Sequence, residues 1–177
     1  MAFEILSSKT IYSGRVFKLR TDRVALPDGG TADLDIVEHG GAVVIIPRMD
    51  DGRLAMIRQY RHAARTRLLE FPAGTVEPGE DPLACAQREL REETGFSART
   101  LERIGGFFLA PGYSTEYLHI FYATGLEEAP LEKDSDEYLD VEPVSPDELS
   151  AAAAGGGLED AKSLAALFLA AGRIFGG

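Results

Sequence analysis

The chain has 177 residues, 18 Lys and Arg against 29 Asp and Glu, and a formal net charge of -11. That length suits one globular domain with a sizeable core, and the acidic excess argues against broad attraction to nucleic acid or an anionic membrane. The single cysteine, Cys85, excludes an internal disulfide framework, no apolar run approaches the roughly 20 residues needed to span a bilayer, and MAFEILSSK lacks the pattern of a signal peptide, so the cytoplasm is the expected compartment.

Taken in chain order, residues 11–23 alternate loosely and are rich in Val, Phe and Leu, which predicts a strand. Pro27-Asp28-Gly29-Gly30 is a turn signal, and Ala32 to Glu38 alternates as its hairpin partner. Ala42 to Pro47 is a short apolar run between Gly40-Gly41 and Asp50-Asp51-Gly52, and Leu54 to Tyr60 returns as another strand. After Gly79 the pattern changes. Asp81 suits an N-cap, Pro82 the first helical position and Gly95 a C-terminal cap, with good helix formers between. Leu83, Ala86, Leu90 and Gln87 are expected to share the face that packs on a sheet. Residues 104–110, 117–124 and 138–144 read as strands. Ser145-Pro146 opens a helix that Gly155-Gly156-Gly157 breaks, and residues 158–171 form a terminal helix rich in Ala and Leu. Strands, one helix between strands and helices at the end describe an α+β fold. With no repeat and no long linker, residues 1–177 are expected to form one domain.

The stretch GTVEPGEDPLACAQRELREETGF (74–96) concentrates acid. On the expected helix Glu89, Glu92 and Glu93 stand at i, i+3 and i+4, which is one face. Carboxylates so placed repel one another unless a cation neutralises them. All-oxygen ligands suit Mg²⁺ or Mn²⁺, which bind phosphate oxygens and orient water. The alternative is a solvated face laced with pairs to Arg88 and Arg91, with Arg88 or Arg91 reaching Glu92 or, across the preceding turn, Glu80. Gly74 and Gly79 would let the loop fold close to the helix, and a backbone carbonyl near Ala73 could join the ligands.

The register Gly74, Glu80, Arg88, Glu89, Leu90, Glu92, Glu93, Gly95, with Phe96 in the closing hydrophobic place, resembles the Nudix box. Eight fixed positions in register are a specific signal. The resemblance implies a Nudix-type α/β/α sandwich with a mixed sheet, preceded over residues 1–40 by an antiparallel strand extension. It also implies Glu92 and Glu93 as principal metal ligands, Glu89 as ligand or water-activating base, Arg88 as the residue orienting the glutamates, and Glu80 as support. The implied reaction is hydrolysis of a nucleoside diphosphate linked to another moiety.

Pro111, sixteen residues past Gly95 within LAPGYSTE (109–116), resembles the mark of the ADP-ribose pyrophosphatase group, and RQYRHA (58–63) and LLEFPAG (68–74) agree. In that group the arginine at the place of Arg61 helps hold the diphosphate, as its planar fork allows. The glutamate at the place of Glu116 contacts substrate or the metal shell. Arg58, Tyr60 and Pro111 complete the expected substrate contacts, and Tyr12, Phe17 and Tyr60 are candidates for stacking on the base. A loop glutamate can act as base instead of one from the box. Glu137, with Asp136 and Glu132 behind it, is that candidate, and between Glu89 and Glu137 the assignment stays open. His39, His62 and His119 lack zinc-ligand spacing, and Cys85 reads as packing. The resemblance further implies a homodimer with exchanged N-terminal strands. The expected reaction is hydrolysis of ADP-ribose to AMP and ribose 5-phosphate. Another nucleotide sugar, such as GDP-mannose or a UDP-sugar, is the alternative within the chemistry. An inactive binding module of the same fold is the alternative outside it, against which the intact Glu89, Glu92 and Glu93 argue.

Overall fold

The turn expected at residues 27–30 forms, with Gly29 at φ 86° and Gly29 N–H donating to the Leu26 carbonyl at 3.0 Å. Only glycine adopts that left-handed geometry without a Cβ penalty. The turn joins β2 (Lys18–Ala25) to β3 (Thr31–Glu38) in register from Ala25 opposite Thr31 to Lys18 opposite Glu38. The single strand expected over residues 11–23 is instead the end of β1 (Glu4–Ser13) and most of β2. Between them the chain turns at Gly14, whose N–H donates to the Phe17 carbonyl at 3.0 Å. The strands form a sheet of order β1-β2-β3, and every residue of β1 is exposed.

The computed structural model describes residues 3–132 and 138–176. It divides into two units, Met1–Gly41 with Phe107–Tyr117, and Ala42–Gly106 with Leu118–Gly177. In the second, β4 (Ala42–Pro47) is buried at all six residues. It runs parallel to β9 (Tyr117–Glu128) and antiparallel to β7 (Ala73–Thr75), and β8 (Phe96–Phe108) flanks β9, so the sheet is mixed. A further sheet has the order β10-β5-β6, from β10 (Leu139–Val144), β5 (Leu54–Arg61) and β6 (Thr66–Glu70). β6 and β7 flank Phe71-Pro72, in a stretch to which the sequence reading assigns no strand.

The helix ends follow the capping chemistry. In α1 (Pro82–Thr94) the Asp81 side chain accepts from Leu83 and Ala84 N–H, Pro82 occupies the first turn, and Gly95 closes the helix at φ 78°. In α2 (Pro146–Gly155) Ser145 and Glu148 form a reciprocal capping box. In α3 (Ala161–Ile174) Asp160 is the cap, so this helix begins later than residue 158. The buried residues of α1 are Cys85, Ala86, Glu89, Leu90, Glu93 and Thr94, whereas Leu83 is 46% exposed. The buried face is rotated from the expected one toward Cys85, Glu89 and Glu93; Leu83 shares the angular position of buried Leu90, seven residues on, but lies in the first turn, where it is exposed. Val43 and Ile45 of β4, Cys85, Ala86 and Leu90 of α1, and Phe121 and Ala123 of β9 make one core cluster. α3 also packs on β4. The α+β class, the mixed sheet and the N-terminal antiparallel strands agree with the sequence reading. Among the described residues no helix is long and apolar enough to cross a membrane.

Truncating Leu90 removes a fully buried side chain, so Leu90→Ala should cost about 2–5 kcal/mol in urea unfolding. Leu83→Ala should cost less than about 1 kcal/mol. Equal losses would show that α1 packs on the originally expected face.

Candidate active site

The loop before α1 is shaped by its own hydrogen bonds. Glu80 N–H donates to the Glu77 carbonyl at 2.9 Å, and a Glu80 carboxylate oxygen accepts from Glu77 N–H at 3.0 Å. Gly79 at φ 83° permits the turn. This delivers Glu80 to Arg88, whose Nε and Nη2 each donate to its carboxylate at 3.0 Å. The remaining nitrogen, Nη1, donates to Glu89 Oε1 at 2.7 Å and to Glu92 Oε2 at 2.9 Å. One guanidinium thus joins three carboxylates. The paired Glu80 is held down to about 2, chiefly by its hydrogen bond from Arg88, and Arg88 is held more firmly protonated by the same bond. Arg91 has a different role, donating to the Ala129 carbonyl at 2.8 Å.

Glu93 is 1% exposed, and one of its oxygens accepts from Ala73 N–H at 2.8 Å. The Ala73 backbone is positioned by β7 pairing opposite Val44, and Pro72 accepts from Ile45 N–H at 2.8 Å. Gly74 lies against Glu89: a Cβ there would come within 1.8 Å of Glu89 Cδ. A glycine is therefore required for the strand to pass over the carboxylate. Cys85 is buried, and burial pushes its thiol well above the ordinary value, as a packing residue should be.

The acceptor atoms this face offers are carboxylate oxygens, from Glu89, Glu92 and Glu93, and Gly74 clears space for the Glu89 carboxylate. That set fits a hard divalent cation. Among the described residues, no three His, Cys, Asp or Glu side chains are drawn together tightly enough to hold a metal as they stand. Arg88 supplies positive charge to Glu89 and Glu92.

Arg61, at the end of β5, donates from Nε to Glu70 Oε1 at 2.8 Å and from Nη2 to Glu70 Oε2 at 2.6 Å. Glu70 is fully buried, and Lys162 of α3 also donates to its Oε2. Burial pushes the Glu70 carboxyl up, but the Arg61 and Lys162 charges outweigh it and hold it below its ordinary value. Glu70 and Lys162 escaped the sequence reading. An acid between Leu69 and Phe71 in an apolar run was the available signal for the first, because a buried carboxylate needs a partner. Nothing local marks the second.

Arg58 and Arg61 do not come together. β5 pairs without a bulge through both neighbours, so side chains alternate and residues three apart face opposite sides. Arg58 makes a two-pronged pair with Glu142 at 2.7 and 3.0 Å. Tyr60 shares that side of the strand, is exposed, and meets the His62 ring edge-on at 6.3 Å. In the other unit, Pro111 follows Ala110, whose carbonyl accepts from Tyr113 and Ser114 N–H at 3.1 and 2.8 Å. Glu116 N–H donates to Ser114 Oγ at 3.1 Å, and its carboxylate lies 4.0 Å from His39 Nδ1. Tyr12 and Phe17 are exposed, with ring centroids 6.0 Å apart. Glu137 and Asp136 lie outside the described residues.

The Glu80–Arg88 pair has a pH signature. Glu80 titrates near 2 when folded against an ordinary 4.5, so its contribution is complete above 4.5 and is lost as pH falls toward 2. In urea unfolding followed from neutral pH to about 2, Glu80→Gln should flatten the acid-side fall in stability relative to the unmodified chain. An unchanged slope would mean that this pair does not contribute.

Residues 38–167 match the family described as the NUDIX domain, and residues 3–33 match the nucleoside diphosphate sugar hydrolase N-terminal domain. The ADP-ribose pyrophosphatase of Mycobacterium tuberculosis is 45% identical over 127 residues, 71% of this chain and 61% of that protein. The methanol dehydrogenase activator of Bacillus methanolicus is 39% identical over 145 residues, 81% of this chain and 78% of that protein. A crystal structure of an ADP compounds hydrolase superposes with a TM-score of 0.87 at 28% identity, covering 99% of this chain and 96% of that one. With a box in register on a capped helix and a family match across most of its length, the chain belongs to the Nudix hydrolase family.

Proposed function

We propose that this chain is a Mg²⁺- or Mn²⁺-dependent ADP-ribose pyrophosphatase, which adds water across the diphosphate of ADP-ribose to give AMP and ribose 5-phosphate. The observation that carries the reading is the acidic face of α1, where Arg88 gathers Glu89 and Glu92 and the Ala73 amide holds Glu93. The choice of ADP-ribose is supported by the Mycobacterium tuberculosis relative and by Pro111.

Glu92 and Glu93 are the principal ligands in this reading, joined by the Ala73 carbonyl and by Glu89 as ligand or base. A divalent ion bound there would supply charge neutralisation at the diphosphate and a more acidic water. Arg88 holds Glu89 and Glu92 at fixed rotamers through Nη1, while Glu80 fixes the other edge of its fork. Glu137 is the alternative base. Arg61 contacts the diphosphate, and Glu116 contacts substrate or the metal shell. Arg58 and Tyr60 stand on the opposite side of β5 and so would meet a different part of the ligand from Arg61.

Residues 1–40 serve as a strand extension to the catalytic domain and as a homodimer interface. An edge strand exposing Ile5, Leu6, Ile11 and Tyr12 supports that use, since such an edge invites pairing or coverage. The cytoplasm is the proposed compartment.

Hydrolysis of ADP-ribose should be abolished by chelation and restored by Mg²⁺ or Mn²⁺, with AMP and ribose 5-phosphate resolved by chromatography. GDP-mannose and UDP-glucose should turn over much more slowly; equal rates on all three would remove the ADP-ribose assignment. Glu92→Gln and Glu93→Gln should each lower kcat by about a hundredfold or more with folding retained. Near-normal turnover of both at saturating Mg²⁺ would refute the ligand roles. For the base, loss of kcat in Glu137→Gln with unchanged metal affinity favours the loop, whereas unchanged kcat returns that role to Glu89.

A further inference from the structure

We propose that Lys162 is a positioning residue, acting from the first turn of α3 through buried Glu70 to hold the Arg61 guanidinium for the substrate diphosphate. The inference rests on the proposed role of Arg61 as the diphosphate contact.

The geometry runs through four charged groups. Arg61 binds Glu70 through Nε and Nη2, one edge of the guanidinium, which leaves the Nη1 edge for an anion. Two hydrogen bonds along one edge fix both the plane and the rotation of the fork. Glu70 itself is fully buried at the end of β6, and a buried carboxylate stays charged only when its lone pairs and its charge are met. Arg61 alone would be its counter-charge if Lys162 were absent. Lys162 shares Oε2, so the guanidinium need not follow every movement of the carboxylate to keep it neutralised. Asp160 accepts from Lys162 Nζ at 3.0 Å, and its same oxygen accepts from Ser163 N–H at 2.9 Å, so the ammonium is tied to the helix cap.

The next residue strengthens the link. Ser163 is fully buried, and its hydroxyl oxygen accepts from Phe71 N–H at 2.8 Å. Two consecutive residues of α3 therefore hold two consecutive residues of the 70–71 segment. Two residues further on, Ala73 N–H carries Glu93. The start of α3, which contributes nothing to the box, thus fixes the strand end from which both the diphosphate arginine and a box glutamate take their positions.

The test is a substitution series read in KM against kcat. If Arg61 grips the diphosphate equally before and during the reaction, loosening it raises KM and spares kcat. With ADP-ribose and with GDP-mannose, Lys162→Met should raise KM about fivefold with kcat within about twofold. Lys162→Arg, which keeps charge and donors, should restore KM. In an Arg61→Lys background, Lys162→Met should add no further increase, because the fork it positions is gone. Affinity for inorganic pyrophosphate in the presence of Mg²⁺, read by calorimetry, should fall by a similar factor without needing turnover. If Lys162→Met fails to fold by circular dichroism, Lys162→Gln carries the same comparison. Unchanged KM and pyrophosphate affinity would overturn the proposal, as would an equal KM increase in the Arg61→Lys background. No turnover of ADP-ribose by the unmodified chain would instead sink the functional reading, while pyrophosphate affinity still decides the role of Lys162.

Discussion

A cluster of glutamates on one helix face is unstable by itself, and in this protein the Arg88 guanidinium makes it stable. Its Nε and Nη2 are fixed by Glu80 from the preceding loop, and its Nη1 reaches Glu89 and Glu92 one turn apart. Because the fork is planar and rigid, locking one edge aims the other. The turn at Gly79, the cap at Asp81 and the helix that follows all serve to bring these groups within hydrogen-bonding reach of one guanidinium. Repulsion between the Glu80, Glu89 and Glu92 carboxylates is held in check by the one guanidinium they share.

The same solution recurs at the strand end. Glu70 is buried like a core residue, and it is met by Arg61 from β5 and Lys162 from α3. In each case a carboxylate is satisfied by an arginine edge and a second group, which fixes direction as well as charge. The backbone between the two networks is held by Phe71 N–H on Ser163, the Pro72 carbonyl on Ile45, and Ala73 N–H on Glu93. A segment tied at successive residues transmits position with little slack, which is what placement of reacting groups to within a fraction of an ångström demands.

Strand alternation sets a further limit. Arg58 and Tyr60 look as close to Arg61 in the sequence as residues can be, yet the pleat sends them to the other side, where Arg58 is engaged by Glu142. Arg58 with Glu142 and Arg61 with Glu70 are thus separated by the thickness of one sheet.

By itself the sequence determined the local geometry: the turn at Gly29, the limits of β4, the capped helix from Pro82 to Gly95, the helix start at Ser145-Pro146, and the register that puts Glu89, Glu92 and Glu93 on one helix face. These follow from rules acting over a few residues, and the box belongs with them because its three clustered glutamates sit within about one helical turn. Gly14 carried a turn signal too, but the weak alternation around it hid the division between β1 and β2. Tertiary structure alone decided which face of α1 is buried, because Glu89 and Glu93 join the interior when backbone and arginine partners satisfy them. It alone decided that Arg61 meets Glu70, that Lys162, 92 residues beyond Glu70, completes the pair, and that Arg58 turns away. Those outcomes depend on which strands pair and which helix end docks, and no short-range pattern encodes a partner so distant along the chain.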